Sequence, residues 1–300
     1  MNRRQLIKQA AGAALSLNWN PLQAKIQNVM HKTIPGTSEI LPVIGLGTNR
    51  YSVGNAQHQA RLRQALQTFH AHGGTLIDTA PMYRGSEIIL GQLIKTLNIR
   101  EQLFIATKAD RAADNNGPER LANSFAQLQT DRLDLVQSHN LRGVDSMLPV
   151  LREQQLAGRV RYVGITTSRE NQFAEFLDVM NKYPLDFIQV NYSLIDRKAA
   201  EHILPLAADK GIAVLANLPL SRGALFKKVG DRPLPDWAAE FNCTSWAQFF
   251  LKYVISHPAV NCAIPGMTRT RHVIDNLGAA LGRLPDATQR RRQEQYIDGL

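Results

Sequence analysis

Residues 103–139 read L-F-I-A-T-K-A-D-R-A-A-D-N-N-G-P-E-R-L-A-N-S-F-A-Q-L-Q-T-D-R-L-D-L-V-Q-S-H. A short apolar run, Leu103–Ala106, is followed by a stretch of helical period, Arg120–Gln129, and then by a second run, Leu133–Ser138. Two brief strands joined by a helix of this length form a βαβ unit, which places the strands parallel. The pattern continues in both directions. Strands are expected near Val43–Thr48, Thr75–Asp78, Val160–Thr166, Phe187–Val190, Ala213–Ala216 and Val260–Ile264. Helices are expected over Ala60–His70, Glu87–Leu97, Met147–Gln155 and Gln172–Met180. Eight such strands predict a single α/β domain, a (β/α)8 TIM barrel. The competing open, doubly wound sheet would need a G-x-G-x-x-G turn, whereas Gly45 and Gly47 are followed by Asn49 and Arg50. Residues 34–40, centred on Pro35 and Gly36, read as a hairpin closing the barrel bottom, and the longest insertion, Pro219–Asn242, as part of the active-site rim.

The composition fits one large core: 300 residues, 44% of them hydrophobic. Lysine and arginine number 35 against 25 acids, a formal charge of +10, but the basic residues are scattered. No zinc-finger spacing or basic repeat interleaved with aromatics accompanies them, so nucleic acid is not expected as a partner. Cys243 and Cys262 are far apart, which argues against a disulfide framework or structural zinc, and no metal is expected. The N-terminus differs from the rest. Arg3 and Arg4 precede Leu6, Ile7 and Lys8, then the small and apolar run Ala10–Leu17, the layout of a secretory signal. The paired arginines resemble a twin-arginine export signal, although Asn2 and Leu6 depart from its commonest residues. Residues 1–24 are therefore read as a signal peptide cleaved near Ala24, with residues 25–300 as the barrel and the periplasm as destination; the alternative is a cytoplasmic protein with an amphipathic leader. The export machinery is then a transient partner. No other segment approaches ~20 consecutive apolar residues, so stable membrane insertion of the mature chain is not expected.

Barrel enzymes place reacting groups at the ends of different strands. Asp78 ends the second strand, Tyr83 follows in D-T-A-P-M-Y, Lys108 ends F-I-A-T-K, and His139 ends L-V-Q-S-H. Each alone has a structural explanation: a helix cap, a rim phenol, a snorkelling lysine, a histidine satisfied by backbone. Together they supply a phenolic acid, a cation to lower its pKa, a carboxylate to hold that cation, and an imidazole for a carbonyl oxygen.

In order, spacing and flanking residues this set resembles the Asp, Tyr, Lys, His tetrad of the aldo-keto reductase superfamily. The resemblance runs from about Lys32 to Leu281. It includes P-V-I-G-L-G-T, G-R-V-R-Y-V-G-I-T, I-Q-V-N-Y-S-L, P-L-S-R-G-A-L and I-P-G-M-T-R-T-R-H-V-I-D-N. It implies an NADPH-dependent oxidoreductase that reduces aldehyde or ketone carbonyls. Tyr83 is then the general acid, Lys108 depresses its pKa, Asp78 anchors Lys108, and His139 orients the carbonyl. The alternative from another class is a subunit-like protein that binds NADP(H) to sense or regulate with little turnover.

For the cofactor, NADP(H), the resemblance assigns Gln189 to the nicotinamide amide and Thr48 to the cofactor site, with Thr166 and Thr167 where relatives carry serine and asparagine. Asn217 stands where many relatives place an aromatic ring or an arginine. Pro219, Leu220, Ser221 and Gly223 match the loop crossing the pyrophosphate, with Arg222 as an added cation. Gly266, Thr268, Arg271, His272, Asp275 and Asn276 fit the adenosine end, where Arg269 and Arg271 offer charge to a 2'-phosphate. The substrate is set by rim segments near residues 50–56, 140–145 and 221–244, which the sequence alone does not arrange.

Overall fold

The computed structural model describes residues 29–110 and 116–300. The signal-peptide reading of residues 1–24 falls outside them. An antiparallel hairpin comes first, β1 (His31–Thr33) and β2 (Ile40–Pro42), in the register His31 opposite Pro42. Its turn uses Gly36 at φ 73°, a left-handed conformation that glycine adopts freely. Eight parallel strands follow: β3 (Leu46–Gly47), β4 (Leu76–Asp78), β5 (Phe104–Ala109), β6 (Leu133–His139), β7 (Val160–Thr166), β8 (Phe187–Asn191), β9 (Ala213–Asn217) and β10 (Cys262–Ala263). They pair in sequence order from β3 to β10.

The ring closes between the first and last strands. The Gly45 amide donates to the Ala263 carbonyl at 2.8 Å, the Gly47 amide to Pro265 at 2.9 Å, and parallel bridges join Ile44 to Ala263 and Gly47 to Gly266. A Cβ on Gly45 would lie 2.7 Å from Leu76 Cδ2, and one on Gly47 2.8 Å from the Ile264 carbonyl oxygen. The two glycines of P-V-I-G-L-G-T are therefore what lets the seam close. Regular pairing at this seam is short, so β3 and β10 are only two residues each, inside the longer runs expected at Val43–Thr48 and Val260–Ile264.

The helices form the outer ring: α1 (Ala56–Ala71), α2 (Ser86–Leu97), α3 (Gly117–Leu128), α4 (Val144–Leu156), α5 (Phe173–Lys182), α6 (Ile203–Asp209), α7 (Ala224–Val229), α8 (Trp246–Ile255), α9 (Thr270–Gly278) and α10 (Ala287–Asp298). α1 starts four residues ahead of its apolar period because Asn55 Oδ1 accepts from the His58 amide at 2.9 Å. The stretch after Leu281 reads as a charged tail, yet it forms α10. Asp286 and Gln289 make a capping box, and Arg290 lies 4.2 Å from the Tyr253 ring centroid while donating to Tyr192 Oη at 2.6 Å.

Side chains of a strand alternate between faces. One buried cluster fills the barrel interior: Leu76, Phe104, Ala106, Leu135, Phe187, Ala213, Leu215 and Cys262, sealed from below by Ile34 and Leu41 of the hairpin. Continuing upward by two residues on the same faces gives Asp78, Lys108, Gln137, Gln189 and Asn217. An apolar floor thus carries a polar layer at the carboxyl ends of the strands. Much of the excess positive charge serves as carbonyl caps at loops. Lys32 Nζ donates to Ile255, His257 and Val260 carbonyls at 2.8, 3.0 and 2.6 Å, and Lys252 Nζ to Leu281 and Arg283. Among the described residues no helix is long and apolar enough to cross a membrane.

Candidate active site

The tetrad converges on that polar layer. Asp78 is the last residue of β4 and Lys108 the third inward residue of β5 after Phe104 and Ala106; they are 3% and 2% exposed. Lys108 Nζ donates to both Asp78 oxygens at 2.8 Å and to the Thr79 carbonyl at 2.8 Å. It also stands 5.0 Å from the centroid of the Tyr83 ring. Tyr83 is set by two tight turns, its amide donating to Ala80 at 3.0 Å and its carbonyl accepting from Ser86 at 2.8 Å. A chain of buried hydroxyls braces this loop. Thr79 Oγ1 donates to Ser86 Oγ (3.0 Å), Ser86 to Thr48 Oγ1 (2.8 Å), and Thr48 to the Asp78 carbonyl (2.8 Å).

The electrostatics give each group a protonation state. Burial opposes charge on Lys108, but Asp78 and Tyr83 more than offset it, and the ammonium is held above the ordinary lysine range. Burial pushes the Tyr83 phenol up; Lys108 is the strongest opposing influence, with Asp78 working against it. The expectation that Lys108 lowers the phenol pKa is thus met in the sign of its own effect and not in the sum. Desolvation dominates, so the phenol keeps its proton and is ready to give it up once a neighbouring group develops negative charge. His139 is driven down to about 3 by burial first, then by Lys108, Arg142 and Arg169. Near neutrality it is an uncharged imidazole able to donate one N–H.

The residues assigned to the cofactor separate into groups. Thr166, Gln189 and Asn217 lie side by side at the ends of β7, β8 and β9, with Thr166 in register with Gln189. Thr166 Oγ1 donates to Gln189 Oε1 at 2.8 Å and Gln189 Nε2 to Asp78 Oδ1 at 2.9 Å, which links this group to the tetrad. Asn217 Nδ2 donates to the Thr167 carbonyl at 3.0 Å. Thr167 Oγ1 is committed to Gln172 Oε1 at 2.6 Å, and Thr48 to Asp78 and Ser86, so both act on the position of their neighbours. Buried Asn217 Oδ1 has no hydrogen-bond partner, nor has Oδ1 of Asn191, its register partner on β8. Gln137, in register with Lys108, leaves both amide atoms unpartnered as well, and these orphaned amide groups at the carboxyl ends of the strands fit a nicotinamide carboxamide. Asn191 was passed over in the sequence although I-Q-V-N-Y-S-L contains it; its inward position two residues after Gln189 was the available signal.

After β9 the chain runs Leu218–Gly223 with positive φ at Leu218 (49°), Ser221 (47°), Arg222 (54°) and Gly223 (90°). A left-handed backbone of this kind at non-glycine residues is strained and recurs at ligand loops. Nothing lies within 4 Å of where a Gly223 Cβ would stand. Pro219, Leu220, Ser221 and Gly223, expected at the pyrophosphate, all lie in this loop, with Ser221 Oγ 2.6 Å from Ser193 Oγ. The residues expected at the adenosine end lie on α9 and on the chain leading into it. Arg271 and Asp275 line, with His72, Asn242, Gln248 and Ile274, a groove of about 930 Å³ on the outer wall. Asp275 Oδ1 already accepts from Ser245 Oγ (2.7 Å) and Gln248 Nε2 (3.0 Å). His272 and Asn276, one residue on, lie beside that pair, with Arg271 Nε 3.3 Å from His272 Nε2, and are reached from Gly266 and Thr268 through Arg269, the exposed residue preceding α9.

The barrel thus gathers a phenol, a salt-bridged lysine and a neutral imidazole at the carboxyl ends of adjoining strands and the loop beside them. The sequence profile described as the Aldo/keto reductase family matches residues 43–295, and the chain belongs to that family. It is 34% identical over 205 residues to the aldo-keto reductase YhdN of Bacillus subtilis, covering 62% of this chain and 60%, less than two thirds, of that relative. It is 31% identical over 228 residues to the NADH-specific methylglyoxal reductase of Escherichia coli, covering 65% of this chain and 69% of the relative. Among solved structures, an aldo-keto reductase from Klebsiella pneumoniae in complex with NADPH superposes with a TM-score of 0.71 at 28% identity, over 89% of this chain and 95% of that one.

Proposed function

We propose that this chain is an NADPH-dependent reductase of aldehydes or ketones, with Tyr83 as the proton donor. One observation carries the reading: Lys108 Nζ sits 2.8 Å from both Asp78 oxygens and 5.0 Å from the Tyr83 ring, beside a neutral His139. When bound, the nicotinamide, held by Thr166, Gln189 and Asn217 with Thr167 behind them, supplies the hydride to the carbonyl carbon. Tyr83 gives its proton to the carbonyl oxygen, Lys108 stabilises the phenolate that remains, and Asp78 keeps Lys108 aimed. His139 donates its N–H to the same oxygen and fixes its direction. The loop Pro219–Gly223 takes the diphosphate, and Gly266, Thr268, His272 and Asn276 the adenosine end. The E. coli relative is named for NADH and the Klebsiella neighbour holds NADPH, so the choice rests on local charge. Arg269 and Arg271 supply it here. The test is a panel of aldehydes and ketones assayed with NADPH and NADH separately. Reduction of at least one carbonyl, faster with NADPH, is expected; no turnover with either nucleotide across the panel would overturn the reading.

We also propose export through a twin-arginine route, motivated by Arg3, Arg4 and the run Ala10–Leu17. That route carries folded proteins, so a barrel can leave the cytoplasm with its nucleotide bound. Fractionation of cells expressing the native chain beside an Arg3→Lys, Arg4→Lys variant tests it. Periplasmic wild type and retained variant are expected, and full-length cytoplasmic protein in both cases would refute it.

A further inference from the structure

Among the described residues, two arginines stand at the mouth of the barrel above His139. His139 and Thr166 are register partners on β6 and β7, and an arginine stands three residues beyond each, Arg142 and Arg169. The Arg142 amide donates to the His139 carbonyl at 3.2 Å, a backbone turn that keeps the two residues adjacent. The two loops are fastened together. Asn140 Oδ1 accepts from the Ser168 amide at 3.2 Å and the Asn140 carbonyl from Gln172 Nε2 at 2.9 Å. Asn140 and Leu141 both take left-handed φ, 53° and 57°, the kind of strain that surrounding contacts sustain at binding sites.

Among the described residues, the acids of these loops are paired. Asp110, two residues beyond Lys108, is buried and accepts from Arg120 at 2.8 Å and from Arg142 at 3.4 Å. Arg142 makes the longer contact and its side chain is 45% exposed, so it can leave while Arg120 keeps the carboxylate paired. Asp145 is taken by Lys182 at 2.7 Å and Glu170 by Lys198 at 2.6 Å. Arg169 is exposed and has no carboxylate within ion-pair distance among the described residues. We propose that the substrate carries a carboxylate as well as its carbonyl, and that Arg142 and Arg169 bind this carboxylate while Tyr83 and His139 hold the carbonyl oxygen. The inference rests on the reductase reading of the same site. The influence of both arginines on His139 agrees with it, since both guanidinium charges bear on the imidazole. The planar forks of two arginines suit a carboxylate, and such charge-assisted hydrogen bonds discriminate strongly against a neutral analogue.

The experiment pairs 4-carboxybenzaldehyde with its methyl ester, aldehydes of nearly equal shape that differ in one charge. Wild type, Arg142→Gln, Arg169→Gln, Arg169→Lys and the double glutamine variant are each measured by steady-state reduction and by calorimetric binding. The wild type should favour the carboxylate over the ester by roughly tenfold to a hundredfold in kcat/KM, mainly through KM. The ratio should fall in each glutamine variant, collapse in the double, and be partly kept by Arg169→Lys. A wild-type ratio near one, or one the variants leave unchanged, overturns the inference. If neither aldehyde is reduced, the reductase reading fails by itself; the calorimetric affinities still decide the carboxylate site, which is refuted if both compounds bind equally.

Discussion

Replacing Lys108 by methionine should damage the fold as well as the chemistry, by an amount the structure sets. Asp78 would lose both 2.8 Å contacts and keep Gln189 Nε2 at 2.9 Å and nothing stronger, while remaining buried. Removing one partner of a buried ion pair leaves an uncompensated charge and costs about 3–5 kcal/mol. With an unfolding entropy of ~2.1 cal/mol/K per residue, over roughly 270 folded residues, this corresponds to a drop in Tm of about 5–9 °C. Adding Asp78→Asn removes the stranded charge, so the double variant should be more stable than Lys108→Met alone, and the two changes should be strongly non-additive. Urea unfolding of the four proteins of this cycle gives the coupling. A loss near 1 kcal/mol for Lys108→Met, or additive effects, would show that the pair behaves as a solvated one and that the assigned geometry is wrong.

Acid should weaken the fold partly through His139. Its folded pKa of about 3 lies below the unfolded value near ~6.5, so its contribution is present above that value and is lost as pH falls toward 3; urea midpoints of His139→Gln should vary less than wild type between pH 7 and 4. Gly91→Ala should destabilise by about 3 kcal/mol, because its Cβ would lie 2.1 Å from the Gln127 carbonyl oxygen where α2 meets α3; a loss under about 1 kcal/mol in urea unfolding would refute that packing. Arg269→Glu and Arg271→Glu should each raise the KM for NADPH by roughly tenfold more than that for NADH; equal effects on the two nucleotides in steady-state kinetics would show that neither arginine meets the 2'-phosphate.

The facing of the candidate residues on strands was legible because period-two alternation fixes it, whereas Tyr83, in the loop after β4, was placed by the motif alone. Once Phe104 and Ala106 are taken as interior, Lys108 must follow them inward, and the same step links Leu135 through Gln137 to His139. The glycines of P-V-I-G-L-G-T were legible as a motif, but their reason, close approach to Leu76 and Ile264 at the seam, needs the closed ring. The adenosine residues were less legible. Arg271, His272, Asp275 and Asn276 are near neighbours in sequence, but their contacts, Arg271 Nε to His272 Nε2 at 3.3 Å and Asp275 Oδ1 to Ser245 and Gln248, appear only in the fold. Asn191 escaped notice because an orphaned amide oxygen is defined by what surrounds it. The +10 charge was uninformative for a similar reason, since Lys32 and Lys252 spend theirs on backbone carbonyls that only the tertiary fold brings near.

The central claim is that Tyr83 delivers the proton. Single-turnover hydride transfer from NADPH, followed by loss of nucleotide absorbance in wild type and Tyr83→Phe, tests it most directly when paired with NADPH affinity from fluorescence titration. Phenylalanine keeps the ring beside Lys108 and removes only the hydroxyl. The account predicts a transfer rate lower by roughly 10² or more with NADPH affinity within a few fold of wild type. A phenylalanine variant that transfers hydride at a near-normal rate would contradict it.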